Sequence, residues 1–561
     1  MSGQGSLLRG RMASAPATGR HGRQALLVQA KMKSIAQNHK KSVWVNVDLD
    51  RLYTQPPYNP GRHVGPVKLQ PLPGKGRGLV AERELPLAET ALVCEPLGGA
   101  LAGPEGTDLG PEDLLGHLLR EQAEGRLGPA DRARLRLLYD GSAADSPSSQ
   151  RSRSVGLDDF AARMQERLRR AEAGPKKAKG KGFGAAPAAG TPAAAAATPA
   201  IDPVALGAPL LTPEELRPLV RFNCWGNSFA ELGAAPLRQE PSRAVVGLWP
   251  EFAMLNHSCA PNTLTFNVGP YLMVQMAREV PQGAELTTCY LGELEQTPLA
   301  ERRAMLRASY GFDCACERCK AEEKLPAAVS AAVAAAYAAG TCEEAMALRS
   351  APTGATDRAS VAGLEGALTR AVEGLEGAMQ AAGLEAQACA WLRSSAWPAY
   401  WTLEALRDLP AQSKPGAGLF GGGPGSPKPF SDPEVPARLA AIVESVAPGS
   451  DTHLFLVLEA MSRAAETLAK DDPRMADLAK DCLRAHIVRY GRVSDAVLRE
   501  LLQARSAVPH YLGTITLGTT QQQGAGAGAA SAVTGPMLGG VTGVASEAQL
   551  RQAAAEVAGL V

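Results

Sequence analysis

The chain has 561 residues, a length that suits several domains. Its 58 glycines, 42 prolines and 5% aromatic content indicate that much of this length is linker rather than packed core. A net charge of +1 gives no global attraction to nucleic acid. The sequence has no apolar run of about 18 residues, so we expect no membrane span.

The first 60 residues form a basic segment, which we predict to be disordered or a targeting sequence. Residues 1–47 contain eight Lys or Arg and no Asp or Glu. This composition is typical of an organelle transit peptide, but a disordered basic tail and a nuclear address share it. We therefore expect the protein to lie in the nucleus or the cytoplasm. A chloroplast or mitochondrion is the alternative, which the lack of acidic residues in this segment suggests.

The first folded segment is predicted at residues 66–98, with a strand at Ala91–Val93. It contains a glycine-rich turn, Gly74-Lys75-Gly76-Arg77-Gly78. Such a turn is most often a tight connection, although its glycines allow a ligand to approach the backbone closely. Residues 99–209 are predicted to be a helical and low-complexity insertion, with one helix around Leu114–Leu119 and another around Leu157–Leu168.

A second folded segment is predicted at residues 210–322. It opens with a capping-box helix, in which Thr212 is the N-cap, Pro213 follows, and Glu215 can reach back to the cap. Strands are predicted at Ala244–Leu248, Leu264–Val268 and Tyr271–Met276, the last two joined by a hairpin turn, followed by a helix from Pro298 to about Ala308.

The remainder is predicted to be helical over residues 323–512, interrupted by a Gly-, Pro- and Ser-rich linker at 411–433. One helix opens at Pro473 and closes at Gly491. Its residues Met475, Leu478, Cys482 and His486 share one face. Residues 513–561 are predicted to be mostly disordered, with one short helix near the end.

Three cysteines lie within six residues, in the pattern Cys314-x-Cys316-x-x-Cys319. Without a secretory signal a disulfide framework is not expected. Thiolates at this spacing can wrap a Zn²⁺ ion, which needs a fourth ligand for tetrahedral coordination. Spacing alone leaves that ligand open among the upstream candidates, which are Cys224, His257, Cys259 and Cys289.

Six short motifs in fixed order closely resemble the SET-domain protein lysine methyltransferases, and in detail their branch with SET and MYND domains (SMYD). The resemblance covers about residues 66–98 and 210–322. The matching motifs are the turn Gly74–Gly78, Asn227-Ser228-Phe229, Val246–Pro250, Asn256-His257-Ser258-Cys259 with Pro261-Asn262, Gly283-x-Glu285-Leu286 to Tyr290, and Tyr310-x-Phe312-x-Cys314-x-Cys316-x-x-Cys319.

The resemblance implies an α+β fold: a knot-like core of short strands with a helical insertion, a cysteine-rich zinc loop after the core, and a helical C-terminal region. It selects Cys259 as the fourth ligand of a structural Zn²⁺. It also implies that Tyr290 and Tyr310 line a lysine channel. The residues matching the family's S-adenosylmethionine contacts are Lys75, Gly76, Arg77, Asn227, Asn256, His257 and Phe312.

The resemblance implies an S-adenosylmethionine-dependent protein-lysine N-methyltransferase acting on a histone or another protein. The alternative is a catalytically silent SET scaffold that binds partner proteins, while nucleic-acid binding by a zinc module agrees poorly with the lone thiol triplet. The chain departs from the SMYD branch because no cysteine lies between Cys94 and Cys224, where that branch carries its MYND module. Ala253 stands where relatives often have a serine. We expect a monomer that binds neither membrane nor nucleic acid directly.

Overall fold

A computed structural model of the chain describes residues 47–56, 58–102, 109–142, 209–240, 243–350, 358–407, 432–469 and 471–506. Several predictions fall on residues outside these ranges. They concern the basic residues 1–46, the helix around Leu157–Leu168, the low-complexity tract, nearly all of the linker 411–433 and the final tail. The described residues divide into a strand-rich half and a helical half.

The strand-rich half consists of short strands in four small sheets. They are β1 (His63–Val64), β2 (Val67–Leu72), β3 (Gly76–Ala81), β4 (Thr90–Cys94), β5 (Gly98–Leu101), β6 (Cys224–Ser228), β7 (Ala244–Leu248), β8 (Asn256–His257), β9 (Thr263–Val268), β10 (Tyr271–Met276) and β11 (Thr287–Thr288). The sheet orders are β1-β4-β10-β9, β5-β7-β6, β2-β3 and β11-β8; the last pair is parallel and the others are antiparallel.

Local sequence signals account for several of these elements. The capping box is present as predicted, since the Thr212 backbone N–H donates to Glu215 Oε2 (2.9 Å) and the Glu215 N–H donates to Thr212 Oγ1 (3.2 Å). The predicted strand at Ala244–Leu248 is β7, and the predicted hairpin is the antiparallel pair β9–β10, which registers Tyr271 against Val268.

The helices that belong to this half or precede it are α1 (Leu49–Thr54), α2 (Pro111–Ala123), α3 (Pro129–Leu135), α4 (Pro213–Asn223), α5 (Ala234–Arg238), α6 (Leu299–Tyr310) and α7 (Glu317–Glu323). The side chain of Gln122 on α2 connects the insertion to the segment that follows it. Its amide donates to the Leu211 carbonyl (2.9 Å) and accepts from the Leu211 N–H (2.8 Å).

The helical half follows from residue 327. Its members are α8 (Ala327–Gly340), α9 (Glu343–Ser350), α10 (Arg358–Ala381), α11 (Ala386–Ser395), α12 (Trp397–Arg407), α13 (Glu434–Glu444), α14 (Asp451–Thr467), α15 (Pro473–Tyr490) and α16 (Asp495–Ser506). On α15, Met475, Cys482 and His486 are buried, as their shared face predicts. None of the described helices is both long and apolar enough to cross a membrane.

The end of the predicted basic segment is folded, which corrects the boundary at residue 60. Helix α1 begins after Asp48, whose carboxylate accepts from the Arg51 N–H. Leu52 and Tyr53 on this helix are fully buried, and Tyr53 packs edge-on against Tyr490 with ring centroids 5.4 Å apart. The basic composition ends at the first acidic residue, and from there apolar side chains join the core.

Buried charges tie the helical half to the strand-rich half. Glu231, which is fully buried, accepts from Arg505 Nη1 (2.6 Å) and from the Tyr490 hydroxyl (3.2 Å). Arg489 lies 3.3 Å from the same carboxylate. A buried carboxylate needs such partners to offset its lost hydration, so these contacts fix how the two halves dock.

Candidate active site and metal centre

Two chain segments cross at the site, and both belong to the predicted motifs. Strands β8 and β11 pair in parallel, with Asn256 opposite Thr287 and His257 opposite Thr288. The Asn262 side chain joins the same segments, because its amide nitrogen donates to the Glu285 carbonyl (2.8 Å) and its oxygen accepts from the Thr287 N–H (2.8 Å). This crossing sets Tyr290 next to His257.

The thiols of Cys259, Cys314, Cys316 and Cys319, the thiol cluster, converge beside this crossing. Their sulfur atoms all lie within 4.8 Å of one another, and those of Cys259 and Cys319 are 3.6 Å apart. In a tetrahedral Zn²⁺ site with Zn–S bonds of about 2.3 Å, the sulfurs lie about 3.8 Å apart. All four cysteines are free, so the cluster fits a zinc ion.

The structure places Cys259 in this cluster, and the other candidates for the fourth ligand are not part of it. Cys224 is in the core of the strand-rich half, and the Cys289 thiol lies 3.9 Å from the Gly292 carbonyl. His257 Nδ1 accepts from the Tyr290 N–H (3.0 Å), so in its neutral form Nε2 carries the proton and faces Cys259 Sγ at 3.2 Å. His257 therefore supports Cys259, a candidate zinc ligand, from outside the cluster.

Proximity within the thiol cluster changes the acidity of its members. Hydrogen bonding to Cys314 is the main cause that raises the pKa of the Cys259 thiol. Contact with Cys259 is the main cause that lowers the pKa of the Cys316 and Cys319 thiols. Four sulfurs this close share protons, and a bound Zn²⁺ would take the place of those protons.

Two arginines and a glutamate, Arg302, Arg318 and Glu322, form a buried charge group against the thiol cluster. Arg302 Nη2 lies 3.0 Å and Arg318 Nε 2.8 Å from Glu322 Oε1, with both arginine side chains fully buried. Arg302 Nη2 also lies 3.8 Å from Cys319 Sγ. Burial acts to lower the pKa of Arg302, but Glu322 and the thiols raise it above its ordinary value, so it remains a cation.

This charge group reaches the helical half through Ser395 on α11. The Ser395 hydroxyl accepts from Arg318 Nη2 (2.8 Å) and lies 3.3 Å from Glu322 Oε1. Arg318 also donates to the carbonyls of Cys259 (2.9 Å) and Glu295 (2.8 Å). A zinc tetrathiolate carries a net negative charge, and the buried guanidinium groups supply the opposite charge that its burial requires.

Next to the thiols, four rings form an aromatic cluster, namely His257, Tyr290, Tyr310 and Phe312. The Tyr290 and Tyr310 ring centroids are 4.9 Å apart, His257 lies 5.3 Å from Tyr290, and Phe312 lies 6.2 Å from His257. Tyr310 ends helix α6, where Gly311 adopts a left-handed φ of 74° and turns the chain towards Cys314. The zinc loop therefore carries two of the four rings.

The Tyr290 hydroxyl has a defined hydrogen bond. It donates to the Leu255 carbonyl at 2.6 Å. Burial is the main cause that raises the pKa of Tyr290 above its ordinary value, so the hydroxyl keeps its proton. Its oxygen can then accept a hydrogen bond from a group that enters between the rings.

The glycine turn, Gly74–Gly78, is open on one side and closed on the other. Gly74 and Gly76 adopt φ values of 71° and 76°, and the space that a side chain would occupy at either position is empty. At Gly78 an added Cβ would meet Asn256 Nδ2 at 2.6 Å and Glu285 Oε1 at 3.1 Å. The turn therefore rests directly on Asn256 and Glu285 while its other face is accessible to a ligand.

Polar contacts join the turn to the crossing. Asn256 Nδ2 donates to the Arg77 carbonyl (2.9 Å) and to Glu285 Oε1 (2.8 Å), and Lys75 Nζ lies 2.5 Å from Glu285 Oε2. The Arg77 guanidinium turns inward onto the Leu137 carbonyl, and burial lowers the pKa of Arg77 to about 10. Lys75 remains half-exposed beside the open face of the turn.

The contacts described above join the predicted site residues other than Asn227. Asn227 lies on β6 opposite Val245, and among the described residues its amide oxygen accepts from the Ser228 N–H rather than from the turn or from Asn256. The sequence motifs also gave no role to Glu285, Arg302, Arg318 or Glu322. Their charges predict exposure, and no local pattern identifies a charged residue that tertiary packing will bury.

Comparison with known proteins agrees with the motifs between Asn227 and Tyr290. The SET-domain family matches residues 150–291, a range that ends before the Cys314–Cys319 triplet. Histone-lysine N-methyltransferase SMYD3 of Mus musculus is 48% identical over 80 residues, which are 14% of this chain and 18% of that protein.

Two further relatives match a similar share. Protein-lysine N-methyltransferase SMYD4 of Pongo abelii is 36% identical over 80 residues, which are 14% of this chain and 10% of the relative. N-lysine methyltransferase SMYD2-B of Xenopus laevis is 34% identical over 89 residues, 16% of this chain and 20% of the relative. The chain thus contains a SET domain similar to those of SMYD proteins, and each match spans a fifth of the relative or less.

Proposed function

From the SET domain that the chain contains, we propose that the protein is an S-adenosylmethionine-dependent protein-lysine N-methyltransferase. The observation that carries the proposal is a juxtaposition: His257 of the aromatic cluster contacts Cys259 of the thiol cluster, while the adjacent Asn256 contacts the open glycine turn. A narrow aromatic channel suits a lysine side chain, and an open glycine turn suits a ligand that lies along the backbone. The proposal extends to the whole protein an activity named for relatives that match only the SET region.

S-adenosylmethionine would supply an electrophilic methyl group on a sulfonium. We propose that Lys75, Gly76 and the Asn256–His257 pair hold it; His257 packs against Tyr290 and Phe312. Such transfers are in-line displacements, so the positions of the two reactants account for much of the rate. The residues of this site are therefore proposed to act mainly by orientation.

The substrate lysine must arrive as the neutral amine. A channel lined by Tyr290, Tyr310 and Phe312 offers no counter-charge to an ammonium group, so desolvation lowers the lysine pKa. The Tyr290 oxygen, whose proton is given to Leu255, accepts an N–H of the amine and directs the nitrogen lone pair along the channel. No separate general base is required in this scheme.

The thiol cluster would hold a structural zinc ion. Closing the loop from Tyr310 to Cys319 fixes Tyr310 and Phe312 relative to Tyr290, because three of the four ligands lie just after these rings. The protein substrate presents a lysine from a histone or another protein, and a monomer that binds no nucleic acid stays a prediction.

The test uses the full chain, purified with its zinc. Calorimetric titration with S-adenosylmethionine should give one binding site, and isotope-labelled S-adenosylmethionine should transfer label to lysine in mixed histones or in a protein extract. Binding without transfer to any substrate would favour the silent scaffold. A folded, zinc-loaded chain that binds no S-adenosylmethionine would contradict the proposed function.

A further inference from the structure

The Glu285 carboxylate lies between two of the proposed cofactor contacts. Its Oε1 accepts from Asn256 Nδ2 (2.8 Å), and its Oε2 lies 2.5 Å from Lys75 Nζ. The Glu285 side chain is 18% exposed, whereas that of Lys75 is 42% exposed. One carboxylate therefore uses each of its oxygens to hold a different residue of the site.

The contact to Asn256 fixes the direction of its amide. Asn256 Nδ2 lies between two acceptors, the Arg77 carbonyl and Glu285 Oε1, so this atom must be the nitrogen. Both of its hydrogens are then used. The Asn256 oxygen is left as the acceptor that this side chain presents to a ligand, and without Glu285 the amide would lose one of the two bonds that orient it.

Backbone pairing sets the position of Glu285 itself. The Leu286 N–H donates to the Leu79 carbonyl (2.8 Å), and the Glu285 carbonyl accepts from Asn262 Nδ2 (2.8 Å). Glu285 also bridges Val80 on β3, the strand that begins within the glycine turn. The carboxylate therefore reaches Asn256 and Lys75 from a paired segment rather than from a loose loop.

Packing leaves no alternative place for these groups. A Cβ at Gly78 would lie 3.1 Å from Glu285 Oε1 and 2.6 Å from Asn256 Nδ2, so the turn closes directly over the pair. Charge-assisted hydrogen bonds in such partly buried places are stronger than neutral ones. Removal of the carboxylate would leave an Asn256 N–H without its acceptor and would free the Lys75 side chain.

We infer that Glu285 is a positioning residue of the cofactor site, which orients the Asn256 amide and tethers Lys75 so that both meet a bound S-adenosylmethionine. The inference rests on the proposed function and deepens it. Glu285 acts through its two neighbours and supplies no contact to the reacting atoms. Its loss should therefore weaken cofactor affinity while leaving turnover at saturating cofactor nearly unchanged.

Two substitutions separate the two contacts. Glu285→Leu removes both contacts, and we expect it to weaken S-adenosylmethionine binding about tenfold or more. A tenfold loss corresponds to about 1.4 kcal/mol of binding free energy, which is the size expected for a lost charge-assisted hydrogen bond. Glu285→Gln keeps an oxygen for Asn256 but loses the charge that attracts Lys75, so a loss of about threefold is expected. Glu434→Leu, which removes an exposed carboxylate paired with Arg474 on the helical half, is the matched control.

The measurements are calorimetric titration of the full chain with S-adenosylmethionine, KM and kcat for the same compound, and the melting temperature of each variant. A rise in KM at nearly constant kcat supports the positioning role. Should Glu285→Leu fail to fold, Glu285→Gln decides, and an affinity equal to that of the wild type then overturns the inference.

A double substitution tests whether Glu285 acts through Asn256. If it does, the total loss of affinity in the double variant Glu285→Leu/Asn256→Ala should be smaller than the product of the losses in the two single variants. A loss equal to that product would overturn the proposed path. If the wild type binds S-adenosylmethionine and Glu285→Leu binds it equally well, this inference alone is overturned. If the wild type does not bind S-adenosylmethionine, the proposed function is overturned together with this role of Glu285.

Discussion

The two sides of the aromatic cluster are built in different ways. On the zinc side, the thiol cluster lies against two fully buried arginines and a buried glutamate, and the next contact is with the helical half. On the cofactor side, an open glycine turn rests on Asn256 and Glu285, with Lys75 half-exposed. Buried charges thus support the thiols on one side, and partly exposed hydrogen bonds support the turn on the other.

This difference predicts different responses to damage. A buried charge that loses its partner has no water to replace it, so the zinc side should fail cooperatively. A partly exposed hydrogen bond can be replaced in part by water, so the cofactor side should weaken by degrees. Under the proposed function, the zinc side would serve stability and the cofactor side would serve affinity.

The largest effect is expected from Cys316→Ser on the zinc side. Loss of one thiolate should abolish stoichiometric zinc and lower the free energy of unfolding by more than about 3 kcal/mol, since a structural metal contributes directly to folding. Zinc quantification together with thermal unfolding measures both changes. Cys342→Ser, outside the thiol cluster, should keep its zinc. Full zinc content in Cys316→Ser would show that the cluster is not the zinc site.

The second prediction compares two adjacent glutamates on α7. Glu322→Gln would leave Arg302 and Arg318 buried without their carboxylate, at a cost of about 3 kcal/mol in the free energy of unfolding. Glu323→Gln removes an exposed carboxylate paired with Arg303 and should leave stability unchanged within error. Chemical denaturation of both variants gives the comparison, and equal stability would contradict the cooperative behaviour assigned to the zinc side.

A substitution between the two sides tests the rings themselves. Tyr290→Phe keeps the ring that packs on Tyr310 but removes the hydroxyl, so kcat should fall about a hundredfold through misorientation of the amine. The dissociation constant for S-adenosylmethionine should change by less than about twofold, because the hydroxyl faces Leu255 and the channel. Tyr400→Phe, which removes a buried hydroxyl bonded to Glu376, is the control. An equal loss of cofactor affinity would make Tyr290 mainly structural.

The smallest expected effect is a pH dependence of stability that arises from two buried histidines in the helical half. It provides the baseline against which acid effects on the zinc side are measured. Burial lowers the pKa of His453 and of His486 from 6.5 to about 3 in the folded chain. At pH values between these two pKa values the unfolded state binds more protons than the folded state, so the free energy of unfolding falls as the pH falls. Each histidine should cost about 0.7 kcal/mol between pH 7 and pH 6.

Thermal unfolding of the wild type and of His486→Gln over that pH range measures this baseline. His486 is fully buried and its Nδ1 donates to the Cys482 carbonyl at 2.7 Å, so the substitution should remove one titrating group and reduce the slope. An identical slope in both proteins would show that His486 does not contribute to the acid sensitivity. Any steeper loss that accompanies release of zinc belongs to the thiol cluster.

Several features of the site could be predicted because they depend on neighbours in the sequence. The capping box of α4 needs only Thr212 and Glu215, and a zinc loop needs only the spacing of Cys314, Cys316 and Cys319. The spacing did not identify Cys259, which lies 55 residues before Cys314; the family resemblance did, and the fold brings its sulfur to 3.6 Å from that of Cys319. The predicted end of the basic segment was wrong because the composition of residues 48–60 does not show that Leu52 and Tyr53 are buried.

By itself the sequence determined the motifs and the thiol triplet, since these depend on local pattern and on residue type. Through the family resemblance that the motifs carry, it also indicated the fold class, the fourth thiol and the rings. Only the tertiary structure decided what those residues contact. It buried Arg302 and Arg318 beside the thiols and placed Glu285 between Lys75 and Asn256. Charged side chains are ordinarily exposed, so their burial and partners depend on contacts between distant segments, which no local pattern records.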